Sequence, residues 1–215
     1  MGTARASRER SDTAAAKPVA DSARRSEPIV VFFGTSLTAG LGLDPEQAYP
    51  ALVARLADSA GTAIRAINAG LSGETSAGAV RRVDWVLRSP ADIVVIETGA
   101  NDALRGLDPD SARSNMEQLV RRVKRQVPSA RIVLAQMEAP PNLGLTYTRR
   151  FHAIYSEVAR REGLALMPFL LQDVAGQSGL NQADGVHPNV TGERIVAANV
   201  WNTLGPIVKE LWGPR

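Results

Sequence analysis

From Pro28 onward, short apolar runs alternate with longer amphipathic ones along the chain. Pro28–Phe33 reads as a buried strand, rich in β-branched and aromatic residues and stopped by Gly34. Pro45 to Ala60 reads as a helix, with Pro45 in its first turn and Gly61 just past its end. Ala63–Asn68 follows as a strand, Ser76–Arg88 as a helix, and Ala91–Glu97 as a strand with a continuous apolar centre. A helix is predicted from Pro109 to Val127, stopped by Pro128, then a strand over Ala130–Gln136. Thr148–Glu162 reads as a helix and Leu164–Met167 as a short fifth strand. The last helix is expected over Thr191–Leu204, with Gly205-Pro206 interrupting it before a final turn.

Strands and helices that alternate in this way predict an α/β domain, a mostly parallel five-stranded sheet flanked by helices. In such open sheets ligands bind outside the carboxyl ends of the strands. The loops to read are therefore those after Phe33, Asn68, Glu97 and Gln136, and the segment before the last helix. Residues 1–27 differ from the rest. They hold Ala, Ser, Arg and Asp, with Val19 as their one sizeable apolar side chain besides Met1. Such a segment is expected to be a disordered tail ahead of a single domain over residues 28–215. It also lacks the apolar stretch of a secretory signal. Either the protein is cytoplasmic, or it is exported and its signal is not part of this chain.

Composition narrows the chemistry. The 215 residues include no Cys and two His, His152 and His187, which excludes a disulfide framework, a thiol nucleophile and a multi-histidine metal centre. The apolar runs are far too short to span a bilayer. Net charge is +3 from 25 basic and 22 acidic residues. Beyond Pro28 the balance is close to neutral, and no stripe suited to nucleic acid is visible. The cluster Arg121, Arg122, Lys124 and Arg125 is expected to be a solvated helix face. Hydroxyls, carboxylates and very few imidazoles remain.

Those groups sit in the loops named above. Gly34-Thr-Ser-Leu-Thr-Ala-Gly40 follows the first strand and, taken alone, reads as a turn with an N-cap. It does not match the G-x-S-x-G nucleophile elbow. Asn68-Ala-Gly-Leu-Ser-Gly73 after the second strand is either a flexible connection or a place where backbone approaches a ligand. After the third strand, Asn101 in Gly99-Ala-Asn-Asp102 either holds a turn or donates its amide to a developing oxyanion. Near the end, Asp184-Gly-Val-His187-Pro places a carboxylate three residues before an imidazole, close enough across a turn to fix its tautomer. His152, on a predicted helix beside Phe151 and Tyr155, is the expected satisfied or surface histidine.

The joint order of these blocks resembles the SGNH hydrolases, also called the GDSL esterase family, over nearly all the chain from about Ile29. Gly99–Gly106, and Pro141-Asn-Leu-Gly144 followed by Tyr147, Phe151 and Tyr155, are similar to its thioesterase, lysophospholipase and arylesterase branch. The resemblance implies a three-layer flavodoxin-like fold, with Ser36 as nucleophile, His187 as general base and Asp184 as its orienting carboxylate. It implies an oxyanion hole from the Ser36 N–H, the Gly73 N–H and the Asn101 side chain. No metal or cofactor is implied. The substrates implied are small acyl esters or thioesters, aryl esters and lysophospholipids among them, without stable membrane insertion. Two alternatives stay open: a carbohydrate O-deacetylase of the same family, or a non-catalytic binding module of the same fold. One departure is visible, because Thr35 stands where the family usually has Asp.

Overall fold

The computed structural model describes residues 27–212. Its five strands form one sheet in the order β2-β1-β3-β4-β5, every pairing parallel. They are β1 (Ile29–Gly34), β2 (Arg65–Gly70), β3 (Ile93–Ile96), β4 (Arg131–Gln136) and β5 (Ala165–Phe169). The central strands β1, β3 and β4 are buried on both faces, which is why they read as continuous apolar runs. The edge strands β2 and β5 are only part-buried. The predicted bounds of β2 accordingly lie two residues early, since an edge strand lacks the apolar run that marks its ends.

Helices cover both faces, making three layers. Helix α2 (Tyr49–Ser59) packs with α7 (Val190–Trp212) on one side. On the other, α5 (Pro109–Gln126) lies between α3 (Ser76–Val86) and α6 (Leu145–Glu162). Two short helices escaped the hydrophobic pattern: α1 (Ser36–Ala39) and α4 (Ala100–Leu104). Each is one turn long and leaves the carboxyl end of a strand. The expected disordered tail over 1–27 lies outside the described residues, apart from Glu27.

Two expectations need correction. The helix predicted from Pro45 is a 3-10 turn over Pro45–Gln47, closed by the Asp44 N–H donating to Gln47 Oε1 at 3.1 Å. Ala48 is then extended, and α2 starts at Tyr49, with Pro50 in its first turn. Its first N–H is taken by a Glu193 carboxyl oxygen at 2.7 Å, a cap from a residue 144 positions away that local sequence does not reveal. At the other end, α7 runs unbroken through Gly205-Pro206. Proline in a helix interior costs roughly 3 kcal/mol. Leu204 and Val208, both fully buried on this helix, each contribute about 1.5–3 kcal/mol, enough to carry it past the proline.

Candidate active site

The strand order reverses between β1 and β3, and the crevice beyond their carboxyl ends is where an open sheet binds ligands. Residues that follow all five strands meet there. Ser36 is the first residue of α1, so its N–H has no place in the helix's own hydrogen-bond ladder. Asp184 and His187 come from the loop before α7, closed by the antiparallel bridge Asn181–Pro188 and the Gln182 N–H to His187 carbonyl bond of 2.7 Å. Gln182 also reaches across with its side chain, donating to the Leu41 carbonyl at 2.7 Å. That contact ties the His187 loop to the Ser36 loop, and nothing in the sequence pattern singled it out.

The three predicted residues meet in a relay. Ser36 Oγ lies 2.8 Å from His187 Nε2, and His187 Nδ1 lies 2.6 Å from Asp184 Oδ2. Asp184 Oδ1 accepts the N–H groups of Val186 and His187 at 2.9 and 3.0 Å. The His187 N–H, the His187 ring and the Val186 N–H together hold the Asp184 carboxyl down at about 2. Nearly half of that side chain is exposed, so hydrogen bonds rather than burial set its charge. An ionised carboxylate only accepts, so Nδ1 must carry the ring proton. Nε2 of the neutral ring is then left to accept from the serine hydroxyl.

Opposite the relay lie the expected oxyanion donors. Gly73 and Asn101 both line the pocket around Ser36. Asn101 Nδ2 donates to the Glu74 carbonyl at 3.1 Å, which leaves its second N–H without a partner among the described residues. Asn101 is placed by Gly99, whose φ is 101° and where a Cβ would stand 2.5 Å from the Tyr155 hydroxyl, so only glycine fits. That hydroxyl in turn donates to the Thr98 carbonyl at 2.8 Å.

Thr35 proves to be a partner of Glu97, a fully buried carboxyl just past β3. Glu97 Oε2 accepts the Thr35 N–H at 2.8 Å and the Thr38 hydroxyl at 2.9 Å, and Oε1 accepts the Thr35 hydroxyl at 2.9 Å. Burial pushes the Glu97 pKa up, against the pull of these donors. The turn is thus pinned from both sides of Ser36. Gly34 is required here too, since a Cβ would meet Thr38 Oγ1 at 1.9 Å.

The pocket has a volume of about 300 Å³ and an apolar wall that includes Leu41, Leu104, Met137, Pro140, Phe169 and Val186. Glu138 is the one carboxylate in that lining. It is held by His152 Nδ1 at 2.7 Å and Gln136 Nε2 at 3.3 Å. His152 is therefore both paired and mostly exposed, in line with its expected surface role. The basic cluster on α5 is likewise paired in part: Arg121 with Glu117, Arg122 with Asp84 and Lys124 with Glu162. Among the described residues no helix is long and apolar enough to cross a membrane.

A parallel sheet with a Ser–His–Asp relay at its switch point defines a serine hydrolase of α/β architecture. The GDSL-like lipase/acylhydrolase family pattern matches residues 32–195, and the chain belongs to that family. It is 40% identical over 178 residues to esterase TesA of Pseudomonas aeruginosa, covering 81% of this chain and 87% of that protein. It is 32% identical over 180 residues to thioesterase 1/protease 1/lysophospholipase L1 of Escherichia coli K12, covering 83% and 84%. Among solved structures, the esterase EstA from Pseudoalteromonas sp., inhibited by monoethylphosphonate, superposes with a TM-score of 0.79 at 31% identity, covering 85% of this chain and all of that one. The fold is thus that of the SGNH hydrolases.

Proposed function

We propose that the protein hydrolyses carboxylic esters and thioesters of short to medium acyl chains through an acyl-enzyme on Ser36. The observation that carries this reading is the continuous relay from Asp184 through His187 to Ser36 Oγ, opening into an apolar pocket. His187 takes the serine proton as Ser36 Oγ attacks the acyl carbon, and Asp184 holds the imidazole in the required tautomer. The N–H groups of Ser36 and Gly73 and the free amide proton of Asn101 receive the oxyanion. His187 then protonates the leaving alkoxide or thiolate, and water activated by the same ring releases the acid. The names of the relatives, esterase and thioesterase/lysophospholipase, support the same bond classes. Carbohydrate deacetylation finds less support, because the pocket wall outside the proposed catalytic groups is mostly apolar. The test is the Ser36→Ala variant, which should fold as the parent does and lose turnover of 4-nitrophenyl butyrate. Undiminished turnover would refute the assignment.

A further inference from the structure

The Glu138 carboxylate is a charged group in the pocket that ester cleavage does not use. Ser36 stands two positions past the end of β1, and Glu138 two past the end of β4, with β3 between those strands. Neighbouring strands lie about 4.8 Å apart, so the two backbones are separated by about 10 Å across the sheet edge. Met137, Pro140, Phe169 and Leu171 come from the ends of β4 and β5, and they make the apolar wall on the Glu138 side of Ser36. An apolar acyl chain belongs against that wall. Glu138 Oε1 accepts from His152 and Gln136, whereas Oε2 takes no hydrogen bond among the described residues. A neutral imidazole holds Oε1 through its Nδ1–H without cancelling the charge. The opposite flank has the opposite sign. Gly73 is shared there with a second cleft, lined by Arg81, Arg82 and Arg105. Glu74 neutralises Arg82, bonding it at 2.8 and 2.7 Å. Arg81 and Arg105 are exposed, and neither pairs with a carboxylate among the described residues.

We propose that Glu138 forms a cation subsite within the acyl pocket, so that the protein takes acyl groups bearing an ammonium at their far end. The inference rests on the ester-hydrolysing reading of Ser36. A carboxylate oxygen in apolar surroundings is costly without a partner, and a substrate ammonium supplies both the charge and the donor. Arg81 and Arg105 repel the same cation from the Gly73 side, so the two flanks orient it alike. Distance sets the chain length. In a 6-aminohexanoyl group the nitrogen is six bonds from the acyl carbon, or roughly 7.5 Å when extended. A charged hydrogen bond to Oε2 adds about 2.8 Å. The total is close to the separation between the Ser36 and Glu138 backbones, and a flexible chain folds to any shorter span. The chemistry is unchanged: the acyl–oxygen bond breaks, water supplies the hydroxyl of the new acid, and the alcohol leaves with a proton.

The test uses three 4-nitrophenyl esters of matched length: 6-aminohexanoate, heptanoate and hydrogen pimelate. They end in an ammonium, a methyl and a carboxylate, and at about pH 8 both end charges are present. The wild-type protein should favour the ammonium ester over the carboxylate ester at least tenfold in kcat/KM, mainly through KM, and added salt should erode the preference. In Glu138→Gln that ratio should fall about tenfold, because the amide keeps the shape of the side chain and removes its charge. A ratio taken on one sample does not depend on how much of the protein has folded. Heptanoylcholine and its neutral isostere 3,3-dimethylbutyl heptanoate place the cation on the leaving group instead, and their ratio should be the same in both proteins. A wild-type ratio near one for the two charged acyl groups would overturn the proposal, as would equal ratios in wild type and Glu138→Gln. A change confined to the choline pair would also overturn it and put Glu138 beside the leaving group. No wild-type turnover of the heptanoate would remove the esterase reading and the subsite with it, whereas turnover without charge preference removes the subsite alone.

Discussion

Replacing Asn101 by alanine separates catalysis from architecture within one side chain. One amide proton of Asn101 holds the Glu74 carbonyl at 3.1 Å, next to Gly73, and the other has no partner among the described residues, in a side chain that lines the pocket. Losing the first should cost about 0.5–1.5 kcal/mol, the net worth of one hydrogen bond. For a domain of this size that is roughly 1–6 °C in Tm. On the proposed reading, losing the second removes a contact realised chiefly in the transition state. It should lower kcat by about 10²–10³ while KM stays near its original value. The two effects are read on one purified sample, by steady-state hydrolysis of 4-nitrophenyl butyrate and by thermal unfolding. A kcat within threefold of the parent, with the expected fall in Tm, would refute the reasoning. The oxyanion would then rest on the Ser36 and Gly73 N–H groups alone.

Two further perturbations probe the buried carboxyls. Thr35→Val removes the hydroxyl bonded to Glu97 Oε1, leaving that buried oxygen without a donor, and should cost about 1–3 kcal/mol, whereas Thr35→Ser should restore most of it. Thermal unfolding checks this, and an unchanged Tm in the valine variant would contradict it. Burial raises Glu193 to about 8 against an ordinary 4.5, so between those values the folded state holds a proton that the unfolded state has released. Stability should therefore fall as pH rises through that window and level off above it, with Glu193 contributing no more than about 1.4 kcal/mol per pH unit. Urea unfolding from pH 5 to 9 should show a flatter profile for Glu193→Gln. A parallel profile would mean Glu193 is ionised in the fold.

What could be read in advance followed how each residue earns its place. Strands β1, β3 and β4 are covered on both faces, so Ile29–Phe33, Ile93–Ile96 and Ile132–Ala135 announce themselves as apolar runs. The one-turn helices α1 and α4 carry no periodicity long enough to see. They exist because Thr35, Thr38 and Glu97 pin one loop and Gly99 with Tyr155 turns the other. Asp184 and His187 were legible because they stand three positions apart, whereas Ser36 is 151 positions from His187 and only the fold joins it to them. Glu97 closed an apolar run in plain view, yet its burial depends on hydroxyls 59 and 62 residues upstream. Gln182, Glu138 and the cleft of Arg81 and Arg105 gain meaning only from neighbours in space. The same holds for α7, which outruns its proline because Leu204 and Val208 find the core.

The most direct measurement is to find where the acyl group goes. Brief mixing with excess 4-nitrophenyl butyrate, an acid quench and mass spectrometry of the digested protein locate any covalent intermediate. The account predicts a butyryl group on the peptide containing Ser36, formed alongside the first equivalent of 4-nitrophenol and absent from Ser36→Ala. A butyryl group on another serine, or ester turnover in that variant, would contradict it.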